Sequence, residues 1–206
     1  PEDGENALHL IMARCRQAPD CAATYPELQK DLDSLLTRFG AQKVMVTIDD
    51  ATSALMALRL ERTETREGYF RLMRAYLQQH GRPIALYSDA HSIFRTTTEK
   101  ADGSPTQFGR AMDELGIELI CAASPQAKGR VERVNATLQD RLVKELRLRE
   151  ITTIDAANAF LETYRCEHNS RFAVAPTRDL DVHRPLDGFD LERILCVMER
   201  RTVSRA

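Results

Sequence analysis

Two acidic residues stand where this chain could do chemistry. Asp89 follows directly on a short apolar run, Ile84 to Ser88, and Glu132 lies in the first turns of a long amphipathic stretch that comes after a second run, Ile117 to Cys121. If the two runs are strands joined by a helical crossover they are parallel, and both carboxylates project over the same end of the sheet, where sites in α/β sheets are expected. Carboxylates in that position suit a hard divalent cation, since Mg²⁺ takes oxygen ligands and keeps room for water and phosphate oxygens. A pair of such ions can activate an attacking oxygen and stabilise a leaving one at phosphorus. That is phosphodiester chemistry. Each residue alone also fits a plainer role, the aspartate as a turn or cap residue and the glutamate as a partner of the helix dipole. Around Glu132 the stretch from Lys128 to Arg149 carries Lys128, Arg130, Arg133, Arg141, Lys144, Arg147 and Arg149, on a chain whose formal net charge is -2. Such a face is compatible with nucleic acid, and equally with a solvated helix whose charges pair internally, Arg141 with Glu145 at i,i+4 spacing for instance.

The elements that must position these residues follow from periodicity. Lys43 to Asp49 and Ala54 to Leu60 are β-type runs around Asp50-Ala51-Thr52-Ser53, which predicts an antiparallel hairpin. Tyr69, Leu72, Met73, Tyr76 and Leu77 then keep helical spacing up to Gly81 and Pro83. Phe108, Met112 and Leu115 mark a further helix, stopped by Gly116, before the strand Ile117 to Cys121. A long helix from about Ala127 towards Arg149 turns Val131, Val134, Leu138, Leu142 and Leu146 inward. Thr153 caps a last helix carrying Ala157, Phe160, Leu161 and Tyr164. The first forty residues read as two helices, the second running from Pro26 to Gly40 with Leu28, Leu32, Leu35, Leu36 and Phe39 on one stripe. Arg95 to Pro105 reads as a loop. The fold class is therefore α/β, a mixed sheet flanked by helices, with a helical segment over residues 1–42, a core over 43–170 and a C-terminal extension over 171–206.

Composition narrows the function classes. A chain of 206 residues, 43% of them hydrophobic, can bury a substantial core. Its longest apolar runs fall far short of the roughly 20 residues a bilayer crossing needs, so no membrane partner is expected. The acidic start, Pro1-Glu2-Asp3, is unlike a secretory signal and points to the cytosol. The five cysteines are scattered, odd in number and without a C-x-x-C pair, against both a disulfide framework and a structural zinc site.

Several strings carry a family resemblance. Tyr87-Ser88-Asp89-Ala90-His91-Ser92-Ile93-Phe94 resembles the motif around the second acidic residue of integrase-like transposases. Ser124-Pro125-Gln126-Ala127-Lys128-Gly129-Arg130-Val131-Glu132-Arg133-Val134-Asn135 resembles the motif around their final glutamate. Ile48-Asp49-Asp50-Ala51-Thr52-Ser53, Gln107-Phe108-Gly109-Arg110 and Arg171-Phe172-Ala173-Val174-Ala175-Pro176 are similar to further family strings. From about Lys43 onward the chain resembles the integrase-type core of bacterial insertion-sequence DDE transposases, including those called ISNCY, within the retroviral-integrase superfamily. The resemblance implies a ribonuclease-H-like three-layer fold and a DNA strand-transfer enzyme using Mg²⁺ or Mn²⁺. Its partners would be transposon ends and target DNA, its complete form a homo-oligomer, and its place the bacterial nucleoid. Asp89 and Glu132 map onto the second and third metal-binding carboxylates. Lys128, Arg130, Arg133 and Asn135 would meet DNA, the cations by holding phosphates without reading bases.

The first family carboxylate has no clear counterpart. It belongs on a strand just before Val44, where this sequence is helix-like. Asp33 lies in that helical stretch between Leu32 and Leu35, while Asp49 and Asp50 belong to the string of the following strand. The first strand is expected to be missing or replaced, and Leu191 to Val197 resembles the beginning of a small β domain, so truncation at both ends is the simplest expectation. Two other functions remain in view: a transposon remnant that binds DNA or protein without chemistry, and a ribonuclease-H-like nuclease unrelated to transposition.

Overall fold

The computed structural model describes residues 17–24, 43–88, 93–94, 105–121, 125–178 and 180–199. The chain divides into two compact units, Pro1–Gln42 and Lys43–Ala206. In the first, α1 is the short helix Pro19–Thr24. The helix expected from Pro26 to Gly40, and Asp33 with it, lies outside the described residues, as do Arg95 to Ser104 of the expected loop.

The second unit opens with the hairpin β1 (Lys43–Ile48) and β2 (Leu55–Glu61), paired antiparallel as the alternation predicts. Thr47 faces Ala57 and Ile48 faces Leu55, so Met56 is an extra residue on β2 and the ladder bulges there. Next come α2 (Arg66–His80), β3 (Ala85–Ser88), α3 (Gln107–Glu114) and β4 (Glu118–Cys121). The long α4 (Pro125–Leu148), α5 (Ile154–Phe172) and the single turn α6 (Leu191–Ile194) complete the order. The unit is mixed α/β. Its described strands make two separate two-stranded sheets, β1 with β2 and β3 with β4, rather than one mixed sheet. Periodicity identifies strands but not their neighbours, and no described strand bridges β1 and β3.

Threonines start three helices: Thr65, Thr106 and Thr153 accept from the N–H groups of Gly68, Gly109 and Ala156 at 3.0, 3.0 and 3.2 Å. Gly81 ends α2 at φ +82°, and a Cβ there would sit 2.6 Å from the Arg184 carbonyl oxygen, so the position needs glycine for both its conformation and its clearance. The main core joins Met45 and Ala57 of the hairpin to Phe70, Met73 and Leu77 of α2, Phe108 and Met112 of α3, and Ile117. Ile194 and Leu195 enter the same core. Leu191–Ile194 is thus a helical turn, where the sequence suggested the start of a small β domain. The residues around it are knitted to the core: Arg82 and Arg184 exchange backbone hydrogen bonds at 2.7 and 2.9 Å, and Arg110 donates to the Ile194 and Cys196 carbonyls.

On the far side of the hairpin, α5 runs along β2 and serves its backbone with two asparagines. Asn158 binds both the N–H and the C=O of Leu60, at 2.9 and 3.0 Å, and Asn169 does the same for Leu55, at 2.8 and 2.9 Å. The spacings agree. Eleven helical residues rise about 16.5 Å and five strand residues advance about the same distance. The bulge at Met56 shifts the alternation by one, which lets Leu55 and Leu60 present their polar groups to the same edge although an odd number of positions separates them.

Candidate functional site

β3 and β4 pair in parallel with Ser88 opposite Cys121, so the two strands end side by side. In the chain Asp89 comes next after Ser88, and α4 begins four residues after Cys121. Asp89 and His91 themselves lie outside the described residues.

Glu132 sits in the second turn of α4, exposed, and makes no hydrogen bond or ion pair among the described residues. The helix around it is open. A Cβ on Gly129 would meet nothing within 4 Å, and Val131, expected to face inward, is 40% exposed. The buried stripe begins only at Val134 and continues through Leu138, Leu142 and Leu146. Arg133 is exposed, its Nε donating to the Gly129 carbonyl at 3.1 Å, which leaves the rest of its guanidinium directed at solvent or a ligand. Asn135 is half-buried. By helical spacing Lys128 and Asn135 fall within about 60° of Glu132 around the axis, while Arg133 lies about 100° and Arg130 about 160° away from it. The side chains of Lys128 and Arg130 lie outside the described residues. The Arg141–Glu145 pair suggested by spacing does not form: Glu145 is 3.4 Å from Arg149, and the Arg141 guanidinium lies over the Phe172 ring at 5.0 Å. An aromatic face one helix away outcompetes a solvated ion pair.

For the first carboxylate the hairpin turn is informative. Asp49 Oδ2 accepts from the Thr52 N–H at 2.8 Å and from the Thr52 hydroxyl at 2.6 Å, so this side chain holds the turn. Asp50 stands beside it, exposed, in a shallow recess with Pro176 and Arg178. Among the described residues no group of three or more His, Cys, Asp or Glu side chains is placed to hold a metal ion. What fits an ion at this helix start is the chemistry of Glu132, a hard oxygen donor not tied up by any described cation. By contrast, Glu61 is engaged by both Arg59 and Arg71, and although burial alone would raise its carboxyl, these partners hold it below the ordinary range.

The residues the sequence did not single out, Asn158, His168 and Asn169, are on α5. Asn158 and Asn169 position β2, and His168 is buried facing α4 beside the expected Tyr164. Phe160, Tyr164, His168 and Phe172 recur at four-residue spacing, a signal that was present in the sequence.

Fold and site together define an α/β unit that presents a carboxylate among cations on the helix entered from the end of a parallel strand pair. Its relatives give the family. The chain is 51% identical over 164 residues to "Putative transposase y4bF" of Sinorhizobium fredii (strain NBRC 101917 / NGR234), a match covering 78% of this chain and 36% of that protein. It is 38% identical over 131 residues to "Transposase for insertion sequence IS1202" of Streptococcus pneumoniae, covering 62% of this chain and 28% of that protein. The chain belongs with these bacterial transposases, and it spans about a third of their length. Among solved structures, a chain of the simian T-cell lymphotropic virus intasome in complex with PP2A regulatory subunit B56 gamma matches at a TM-score of 0.43 and 14% identity, over 80% of this chain and 57% of that one. No protein-family model matches the chain. No described helix is long and apolar enough to cross a membrane.

Proposed function

We propose that Lys43–Ala206 carries the core of a metal-dependent DNA strand-transfer enzyme, a ribonuclease-H-like domain that cuts DNA at element ends and joins the freed 3′ hydroxyls to target DNA. The single observation that carries this reading is the 51% identity to a transposase over 164 residues. The exposed, unengaged carboxylate of Glu132 beside the basic string 128–133 supports it.

In this reading Asp89 and Glu132 hold Mg²⁺ or Mn²⁺, which when bound supplies charge stabilisation at phosphorus and an activated attacking oxygen. Lys128, Arg130 and Arg133 hold backbone phosphates beside Glu132, fixing the strand without reading its bases. Asn135, a turn further on, orients Glu132 or meets the same strand. Asp49 is a poor choice for the first carboxylate because its oxygen is spent on Thr52, which leaves Asp50, Asp33 or no counterpart in this chain. A homo-oligomer on DNA, free in the cytosol and associated with the nucleoid, completes the proposal.

Mn²⁺ titration followed by electron paramagnetic resonance tests it directly. Asp89→Asn and Glu132→Gln should each weaken Mn²⁺ binding at least about tenfold, the loss expected when one of few charged ligands is neutralised. Unchanged Mn²⁺ affinity in both variants, with DNA binding retained, would instead establish a non-catalytic DNA-binding remnant. With one carboxylate unassigned, strand transfer by the purified chain on element-end DNA is expected to be weak. Robust transfer abolished by Asp50→Asn would identify the missing ligand.

A further inference from the structure

Away from the strand ends, α4 and α5 enclose a second constellation. Along α5 the rings of Phe160, Tyr164, His168 and Phe172 follow one another at 6.1, 6.0 and 4.7 Å. Beside them lies a recess of about 380 Å³ whose wall includes Tyr164, His168, Phe172, Arg141 and Arg171. Tyr164 and His168 are only 5% and 6% exposed, yet the Tyr164 hydroxyl and His168 Nδ1 have no hydrogen-bond partner. Buried polar atoms are nearly always paired, so two orphans in the wall of one recess call for a ligand or a trapped water.

The charges around the recess decide which ligand. Its acids already have cationic partners: Asp140 pairs with Lys144 at 2.5 Å, and Glu145 and Glu167 share Arg149 at 3.4 and 3.8 Å. Arg141 and Arg171 make no hydrogen bond or ion pair among the described residues. Two guanidinium groups, one of them stacked on the Phe172 ring, and two buried hydrogen-bonding groups therefore remain without hydrogen-bond partners around one space, a set that complements an oxyanion with several acceptor oxygens.

We propose that this recess is a phosphate-binding site, in which Tyr164 and the Nδ1–H tautomer of His168 each donate to a phosphate oxygen while Arg141 and Arg171 supply the charge. Binding turns Arg141 from the Phe172 ring to the ligand and gives the two buried donors a partner. Burial holds the His168 imidazole below its ordinary pKa, and nearby Arg141 acts in the same direction, which favours the neutral, tautomer-switchable ring. The phosphate comes either as the free ion or as a diester within a DNA strand. The strand source rests on the function proposed above; the free-ion source does not.

The test is an imidazole ¹⁵N correlation experiment on the full chain in EDTA, titrated separately with inorganic phosphate and with a short single-stranded oligodeoxynucleotide lacking terminal phosphates. The His168 Nδ1 resonance should shift saturably with at least one probe while His80 and His183 stay in place. Saturation by phosphate alone identifies the free ion, and by the oligonucleotide a strand. Arg141→Ala combined with Arg171→Ala should weaken binding at least about tenfold, as loss of charge-assisted hydrogen bonds implies. Tyr164→Phe should weaken it by about tenfold and yet melt no lower than the parent chain, because it deletes an unpaired hydroxyl. A purely structural tyrosine would not separate the two readouts. Because the titration is run in EDTA, no metal is bound, which keeps failure here distinct from failure of the metal site. A His168 signal that neither probe moves, or a shift that survives the double arginine substitution, overturns the proposal and leaves a trapped water as the partner.

Discussion

The two ends of α4 are built on opposite terms. From Val134 onward the helix buries a residue every turn, at Leu138, Leu142 and Leu146, each no more than 2% exposed. Before Val134 it buries no side chain among the described residues, and it shows a glycine with open space around it, an exposed valine and a glutamate without a described partner. One helix thus carries an anchor and a free working end. Sequences that specify a fold satisfy packing and polar pairing together, and the places where they stop doing so are where function is expected.

Substitutions can test that division, beginning with the anchor. Leu138→Ala should destabilise the chain by about 2–5 kcal/mol, the usual range for truncating a fully buried leucine, as read from urea denaturation. A loss below about 1 kcal/mol would mean that α4 is not held as described. Asn169→Ala should cost less, about 1–3 kcal/mol, because it strands the N–H of Leu55 beneath α5 and leaves its C=O only the longer 3.4 Å bond from Arg165. Its signature would be faster amide exchange confined to the β2 end of the hairpin.

Acidification probes the seam between α4 and α5. The folded chain holds His168 below its ordinary 6.5, through burial first and Arg141 second, whereas the unfolded chain takes up the proton near that value. Between the depressed folded value and about 6.5 the unfolded state therefore binds more protons, and stability must rise with pH across this window and level off above it. His80 is shifted the same way by its own burial, so His168→Gln should flatten the thermal melting profile between pH 7 and 5 only in part. A profile identical to that of the parent would place His168 in solvent. The smallest effect belongs to the working end: Glu132→Gln and Arg133→Ala should each change stability by no more than about 0.5 kcal/mol, the norm for exposed positions. A larger loss in either would move that residue from the working end to the anchor.

How much of this the sequence revealed depended on the kind of interaction involved. The hairpin, the helix ending at Gly81 and the stripe from Val134 to Leu146 were legible because burial repeats with the period of the backbone. Val131 was misjudged because a stripe shows which way a helix faces but not where its neighbour stops. The parallel course of β3 and β4 was legible from the helical crossover between them, whereas the separation of β1 from β3 was not, since it depends on contacts between distant segments. The same holds for Arg141, whose partner is the Phe172 ring of another helix rather than Glu145 on its own. Asn158 and Asn169 were hidden for a further reason: an asparagine on a helix reads as a solvent residue until the strand beside it is known. The strings around Asp89 and Glu132 gave the transposase relationship, while the candidate first carboxylate narrowed only once Asp49 was seen holding its own turn.

Those two asparagines also bear on how the molecule behaves at high concentration. Fibrils and open-ended polymers grow by stacking strand on strand, which requires every added unit to offer a fresh edge. With α5 lying along β2 and its amides occupying Leu55 and Leu60, the hairpin can be extended on at most one side. A copy that docks through β1 terminates growth instead of propagating it, so strand-mediated self-association of this hairpin stops at a pair.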